Sequence, residues 1–80
     1  MPIQRTQTMV ESLVKALVEH PDEVAVKPIE GDNTVVFEVQ VNTEDAGKVI
    51  GKKGRTINAL RTLVRAATSR HDKKVMMELI

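Results

Sequence analysis

Val49-Ile50-Gly51-Lys52-Lys53-Gly54-Arg55-Thr56-Ile57 is the stretch that decides how this chain is read. Two glycines bracket two lysines, with apolar residues on either side. Gly51 lets the backbone reverse at a positive φ where one helix ends. Gly54 leaves room for close approach at the start of the next helix. The first N–H groups of that helix have no partner within it and sit at the positive end of its dipole, so they attract anions. Lys52 and Lys53 bring positive charge to the same point. The arrangement suits a phosphate backbone, although a plain helix–helix turn with solvated lysines has the same G-x-x-G spacing. A nucleotide P-loop does not fit, because Gly47 and Gly51 are one residue too close and no Ser or Thr follows Lys52. A G-x-G-x-x-G dinucleotide fingerprint is absent.

Working outward, Asn42 or Thr43 can cap a short helix through Ala46, Val49 and Ile50, with Glu44 and Asp45 in its first turn. A further helix follows the loop from about Arg55 to Ser69, with Ile57, Leu60, Val64 and Ala67 at helical spacing. Upstream, Thr34 to Val41 alternates, placing Val35, Phe37, Val39 and Val41 on one face of a strand. Val24 to Ile29 is a second strand, and Pro28 confines it to a sheet edge. Glu30-Gly31-Asp32-Asn33 is a turn between them. Val75 to Ile80 is a third strand, with Val75, Met77 and Leu79 facing one way. Met9, Val10, Leu13, Val14, Ala16, Leu17 and Val18 form an amphipathic first helix, with a capping box starting at Thr8 and a stop at Pro21. Residues 1–7 are a lead that either stays loose or lengthens this helix by a turn.

The predicted order is therefore α-β-β-α-α-β. The first two strands make an antiparallel hairpin. A two-helix crossover is long enough to set the third strand parallel to the second. With the proline-bearing strand at an edge, Val35–Val41 is central. The expected fold class is α+β, a three-stranded mixed sheet with three helices on one face.

The 80 residues allow one small domain, and there is no cysteine for disulfides or thiolate metal sites. Phe37 is the only aromatic residue, which excludes a base-stacking platform. No apolar run approaches the length of a membrane span. The formal net charge of +1 conceals a division: residues 1–45 carry three basic and nine acidic groups, residues 46–80 nine and two. Such asymmetry points to a polyanion partner or to solvated helix faces.

Taken with its place between two short helices, VIGKKGRTI resembles the loop of the type II KH domain, an RNA-binding fold. The resemblance runs from about Thr8 to Ile80. The stretch Asp45 to Ile57, and a single KH domain by itself, resemble the bacterial KhpA family. This resemblance implies that about four single-stranded nucleotides lie against the loop. It further implies RNA-binding roles for Gly51, Lys52, Lys53 and Gly54 as the backbone clamp, for Ile50 in the groove under the bases, and for Arg55. The family role it implies is a cytoplasmic RNA chaperone or post-transcriptional regulator, linked to cell-wall homeostasis and cell length. The implied partners are single-stranded RNA and a second KH protein, either in a homodimer or in a heterodimer with KhpB (Jag).

Lys48, Asn58, Arg61 and Arg65 are additional candidate RNA contacts, the last three sharing the polar face of the helix after the loop with Arg55 and Thr62. A solvated face explains Arg61 and Arg65 equally well. The apolar side of the same helix is broader than one sheet requires. Its excess edge is Ala59, Leu63 and Ala66, expected either to contact a second copy or to pack on the first helix. Nothing suggests an enzyme, a metal site or a cofactor. His20 and His71 are isolated and read as exposed turn residues, Ser12 and Ser69 lack a base, and the carboxylates read as surface groups.

Overall fold

The computed structural model describes residues 3–70 and 72–80; Met1 and Pro2, part of the expected lead, and His71 lie outside the described residues. The element order is α1 (Ile3–Leu17), β1 (Ala25–Glu30), β2 (Thr34–Gln40), α2 (Ala46–Ile50), α3 (Arg55–Ala67) and β3 (Lys74–Leu79). Single 3-10 turns occupy Pro21–Glu23, Thr43–Asp45 and Lys52–Gly54. This is the expected α+β order, with strand ends shifted by one residue.

The sheet order is β1-β2-β3, antiparallel between β1 and β2 and parallel between β2 and β3. The period of two along a strand sends Val35, Phe37 and Val39 to one face, where all three are fully buried. The register lines up Val26, Val39 and Leu79 in one row and Pro28, Phe37 and Met77 in the next. Pro28, which has no N–H to donate, sits in the edge strand β1, as its chemistry requires.

All three helices feed one core. Val10 and Val14 of α1, Val49 of α2, and Ile57, Leu60 and Val64 of α3 join the buried strand residues in a single cluster. Each such side chain contributes roughly 1.5–3 kcal/mol of burial free energy. α2 is only five residues long and anchors itself through Val49, so the loop it carries depends on neighbouring contacts. α1 starts at Ile3 and not at Thr8: no capping box forms, and the Thr8 hydroxyl donates to the Gln4 carbonyl at 2.9 Å instead. The pattern in Val10 and Val14 continues back through Thr6, which is also buried, so the helix has reason to extend.

Candidate nucleic-acid interface

α2 ends where the Gly51 N–H donates to the Gly47 carbonyl at 2.8 Å. Gly51 then takes φ 76° and ψ 171°, and Gly54 takes φ 74° and ψ 15°. Between them, Lys53 adopts φ 57°, an uncommon left-handed conformation for a residue with a Cβ. The two glycines differ in kind. A Cβ on Gly51 would overlap the Thr56 side chain and lie 2.9 Å from the Thr56 backbone nitrogen. A Cβ on Gly54 would come no closer than 3.7 Å to anything, with Asn58 Nδ2 its nearest neighbour. Gly51 therefore seals the loop against α3, and Gly54 leaves an open approach to the start of α3. Lys52, Lys53 and Arg55 are exposed and form no ion pair among the described residues. Ile50 is 42% exposed beside them.

From the loop, α3 runs along the free edge of β3. Between them lies a groove of about 490 Å³ lined by Arg61, Arg65, Ser69, Lys74, Met76 and Glu78, among others. Arg55 to Arg65 spans about 15 Å of helix. Arg61 is held in place, its Nε donating to the Met77 carbonyl at 3.2 Å. Lys74 N–H donates to Asn33 and Ile80 N–H to Val39 on the β2 side. By strand alternation, the backbone groups of Val75, Met77 and Leu79 face the groove edge. Thr68, whose hydroxyl donates to the Val64 carbonyl at 2.6 Å, closes the far end of α3.

Two histidine and carboxylate expectations need correction. Asp45 is not a surface group but is fully buried, and His20 is not isolated. The Asp45 carboxylate accepts from the backbone N–H of Glu19 at 3.2 Å, from that of His20 at 3.0 Å, and pairs with His20 Nδ1 at 2.9 Å. Burial pushes the Asp45 carboxyl up. The hydrogen bonds from Glu19 N–H, the His20 ring and His20 N–H together outweigh that, and it titrates below the ordinary carboxylate range. The hydrogen bond to Asp45 chiefly raises the His20 pKa. Sequence separation of 25 residues hides this pair from any local pattern.

Lys48, expected among the RNA contacts, is turned to the same acidic side. It pairs with Glu19 at 3.1 Å and Asp45 at 3.5 Å, and the hydrogen bond to Glu19 chiefly raises its pKa. Asn58 stands over Gly54, and its carbonyl accepts from the Thr62 hydroxyl. Arg61 and Arg65 line the groove, and both remain exposed. Ala59, Leu63 and Ala66 are exposed, Leu63 by 50%, so Leu63 is not sealed against α1. Among the described residues there is no group of His, Asp and Glu able to hold a metal ion, and no helix long and apolar enough to cross a membrane.

Comparison with known proteins bears on this geometry. The family model described as "KhpA/KhpB, KH domain" matches residues 7–79. The RNA-binding protein KhpA of Listeria monocytogenes is 45% identical over 74 residues, covering 92% of this chain and 97% of the relative. Its counterpart in Caldanaerobacter subterraneus is 47% identical over 72 residues, covering 90% and 96%. In fold, the chain is similar to part of Aquifex aeolicus Era, with a TM-score of 0.62 at 24% identity, covering 99% of this chain and 31% of that one. A structure of Era in complex with nucleotides of 16S ribosomal RNA gives a TM-score of 0.64, again at 24% identity, with 99% and 30% covered.

Proposed function

The chain belongs to the KhpA/KhpB family of KH domains, and from that premise we propose that it binds single-stranded RNA without catalysing a reaction. The observation that carries this reading is the loop from Gly51 to Gly54. Its left-handed turn opens the start of α3, two unpaired lysines flank that opening, and a groove carrying further cations runs on from it. In this mechanism the RNA backbone lies over Gly54, with Lys52, Lys53 and Arg55 neutralising phosphates. Ile50 supplies apolar contact to a base. Arg61, Arg65 and Asn58 extend the track along α3, and the β3 edge offers backbone donors and acceptors to base edges. Lys48, committed to Glu19 and Asp45, has no part in it. About four nucleotides fill such a site, which gives weak binding of low specificity.

The finer role is that of a cytoplasmic RNA chaperone or post-transcriptional regulator acting on cell-wall homeostasis and cell length. This extends the reading from the relatives, which bear the name RNA-binding protein KhpA. The half-exposed Leu63, flanked by Ala59 and Ala66, favours a paired form, either with a second copy or with KhpB. Pairing would place a second RNA site at high effective concentration and raise avidity.

The test is short single-stranded RNA titrated into the parent protein and into the Lys52→Asp/Lys53→Asp variant. We expect binding by the parent and its clear loss in the variant, with circular dichroism unchanged. Equal binding by both proteins would overturn the loop mechanism. A parent that ignores RNA yet forms a stable complex with a KH partner would favour a protein-interaction module.

A further inference from the structure

The groove between α3 and β3 is lined by four cationic side chains, Arg61, Arg65, Lys73 and Lys74, and among the described residues by a single carboxylate, Glu78. Glu78 is exposed and makes no ion pair or side-chain hydrogen bond among the described residues, in contrast to Lys73, which reaches Glu30 at 3.9 Å. No ion pair within 4 Å joins it to Arg61, whose Nε is directed to the carbonyl of the preceding residue, Met77. Nor does Glu78 serve the sheet: its cross-strand neighbour in register is Glu38, and like charges side by side destabilise a pair. Glu38 has Lys27 as its register neighbour on the other side, whereas Glu78, in the edge strand β3, has no second neighbour in the sheet.

A carboxylate in a groove built for a polyanion repels any phosphate placed beside it. It therefore disfavours a phosphate beside Glu78 and leaves that point of the β3 side to a base, with Arg61 and Arg65 available to phosphates on α3. An ionised carboxylate can only accept hydrogen bonds. Cytosine offers it the N4 amine and adenine the N6 amine, whereas uracil presents the O4 carbonyl at the corresponding position. Cytosine and uracil differ in the group at that position, so they form the direct contrast. Building on the RNA-binding reading above, we propose that Glu78 is a specificity-determining residue that selects a base bearing an exocyclic amine, favouring cytosine over uracil at the β3 side of the groove.

The experiment is binding of short oligocytidine and oligouridine of equal length, near neutral pH and at fixed salt, to the parent, to Glu78→Gln and to Glu38→Gln. The parent is expected to bind oligocytidine about fivefold more tightly, the lower end of the discrimination that one good base contact supplies. In Glu78→Gln the ratio should fall to about one, because an amide can turn either a donor or an acceptor to the base. Glu38→Gln, which removes the neighbouring charge without touching the groove lining, should keep the parent's ratio. The proposal is overturned if Glu78→Gln tightens both ligands equally, if the parent does not discriminate, or if Glu38→Gln abolishes discrimination as well. Failure of the parent to bind either oligonucleotide overturns the RNA-binding reading itself and this assignment with it.

Discussion

The His20 ring nitrogen Nδ1 lies 2.9 Å from Oδ2 of Asp45, a carboxylate with no solvent exposure at the start of the segment that carries the G-K-K-G loop. This pair ties the exit of α1 to the entry of α2. It also makes stability depend on pH. The His20 pKa is raised in the folded state, chiefly by the hydrogen bond to Asp45. Its contribution is therefore complete below the unfolded value of about 6.5 and is lost as pH rises through the folded pKa. Asp45, with its lowered pKa, contributes above the ordinary carboxylate value and loses that contribution as pH falls through its own depressed pKa. Urea midpoints should decline from slightly acid to slightly alkaline pH in the parent. In Asp45→Asn that slope should flatten, and a slope equal to the parent's would refute the coupling.

The two loop glycines should respond differently to alanine. Gly54→Ala meets only the left-handed conformational penalty, about 1–2 kcal/mol, because a Cβ there has open space. Gly51→Ala adds a collision with the Thr56 backbone and side chain, and should cost about 3 kcal/mol or more. Chemical denaturation of both variants checks the order, and equal losses would contradict the packing of Thr56 on Gly51.

Arg65 lines the groove and has no ion-pair partner among the described residues. Arg65→Ala should leave the unfolding midpoint within about 0.5 kcal/mol of the parent. Its RNA affinity should fall, and the slope of log affinity against log salt should shrink by about 0.7. An unchanged slope would remove Arg65 from the phosphate track.

Leu63 is half exposed, so Leu63→Asp should fold with little loss of stability. If Leu63 centres a contact between copies, the parent should sediment as a dimer at high micromolar concentration and the variant as a monomer. Identical sedimentation of the two would eliminate that contact.

What could be read from the chain alone was local. The alternation of Val35, Phe37 and Val39 identifies a half-buried strand because side chains alternate with a period of two. Pro28 marks an edge because it lacks an N–H, Gly51 marks a reversal because glycine tolerates a positive φ, and Gly54 marks a close approach because it has no side chain. These signals, together with the order of elements, were enough for the fold class; the loop as the candidate clamp rested on the resemblance to KH domains. The same local reasoning set a capping box at Thr8 and left residues 1–7 either loose or lengthening the helix; α1 runs from Ile3, so the helix continues through Thr8.

Tertiary structure decided what depends on residues far apart in the chain. Asp45 and His20 look like surface residues in sequence, and only the packing of α2 on the end of α1 buries one and gives the other a partner. Arg61, Lys74 and Glu78 share a groove because the parallel pairing of β2 and β3 brings the β3 edge alongside α3. Lys48 is drawn from the loop to Glu19 by the same folding. A hydrophobic period or a glycine constraint acts within a few residues and is written in the sequence. The sign and partner of a charge depend on distance in space, which exists only once the layers have packed.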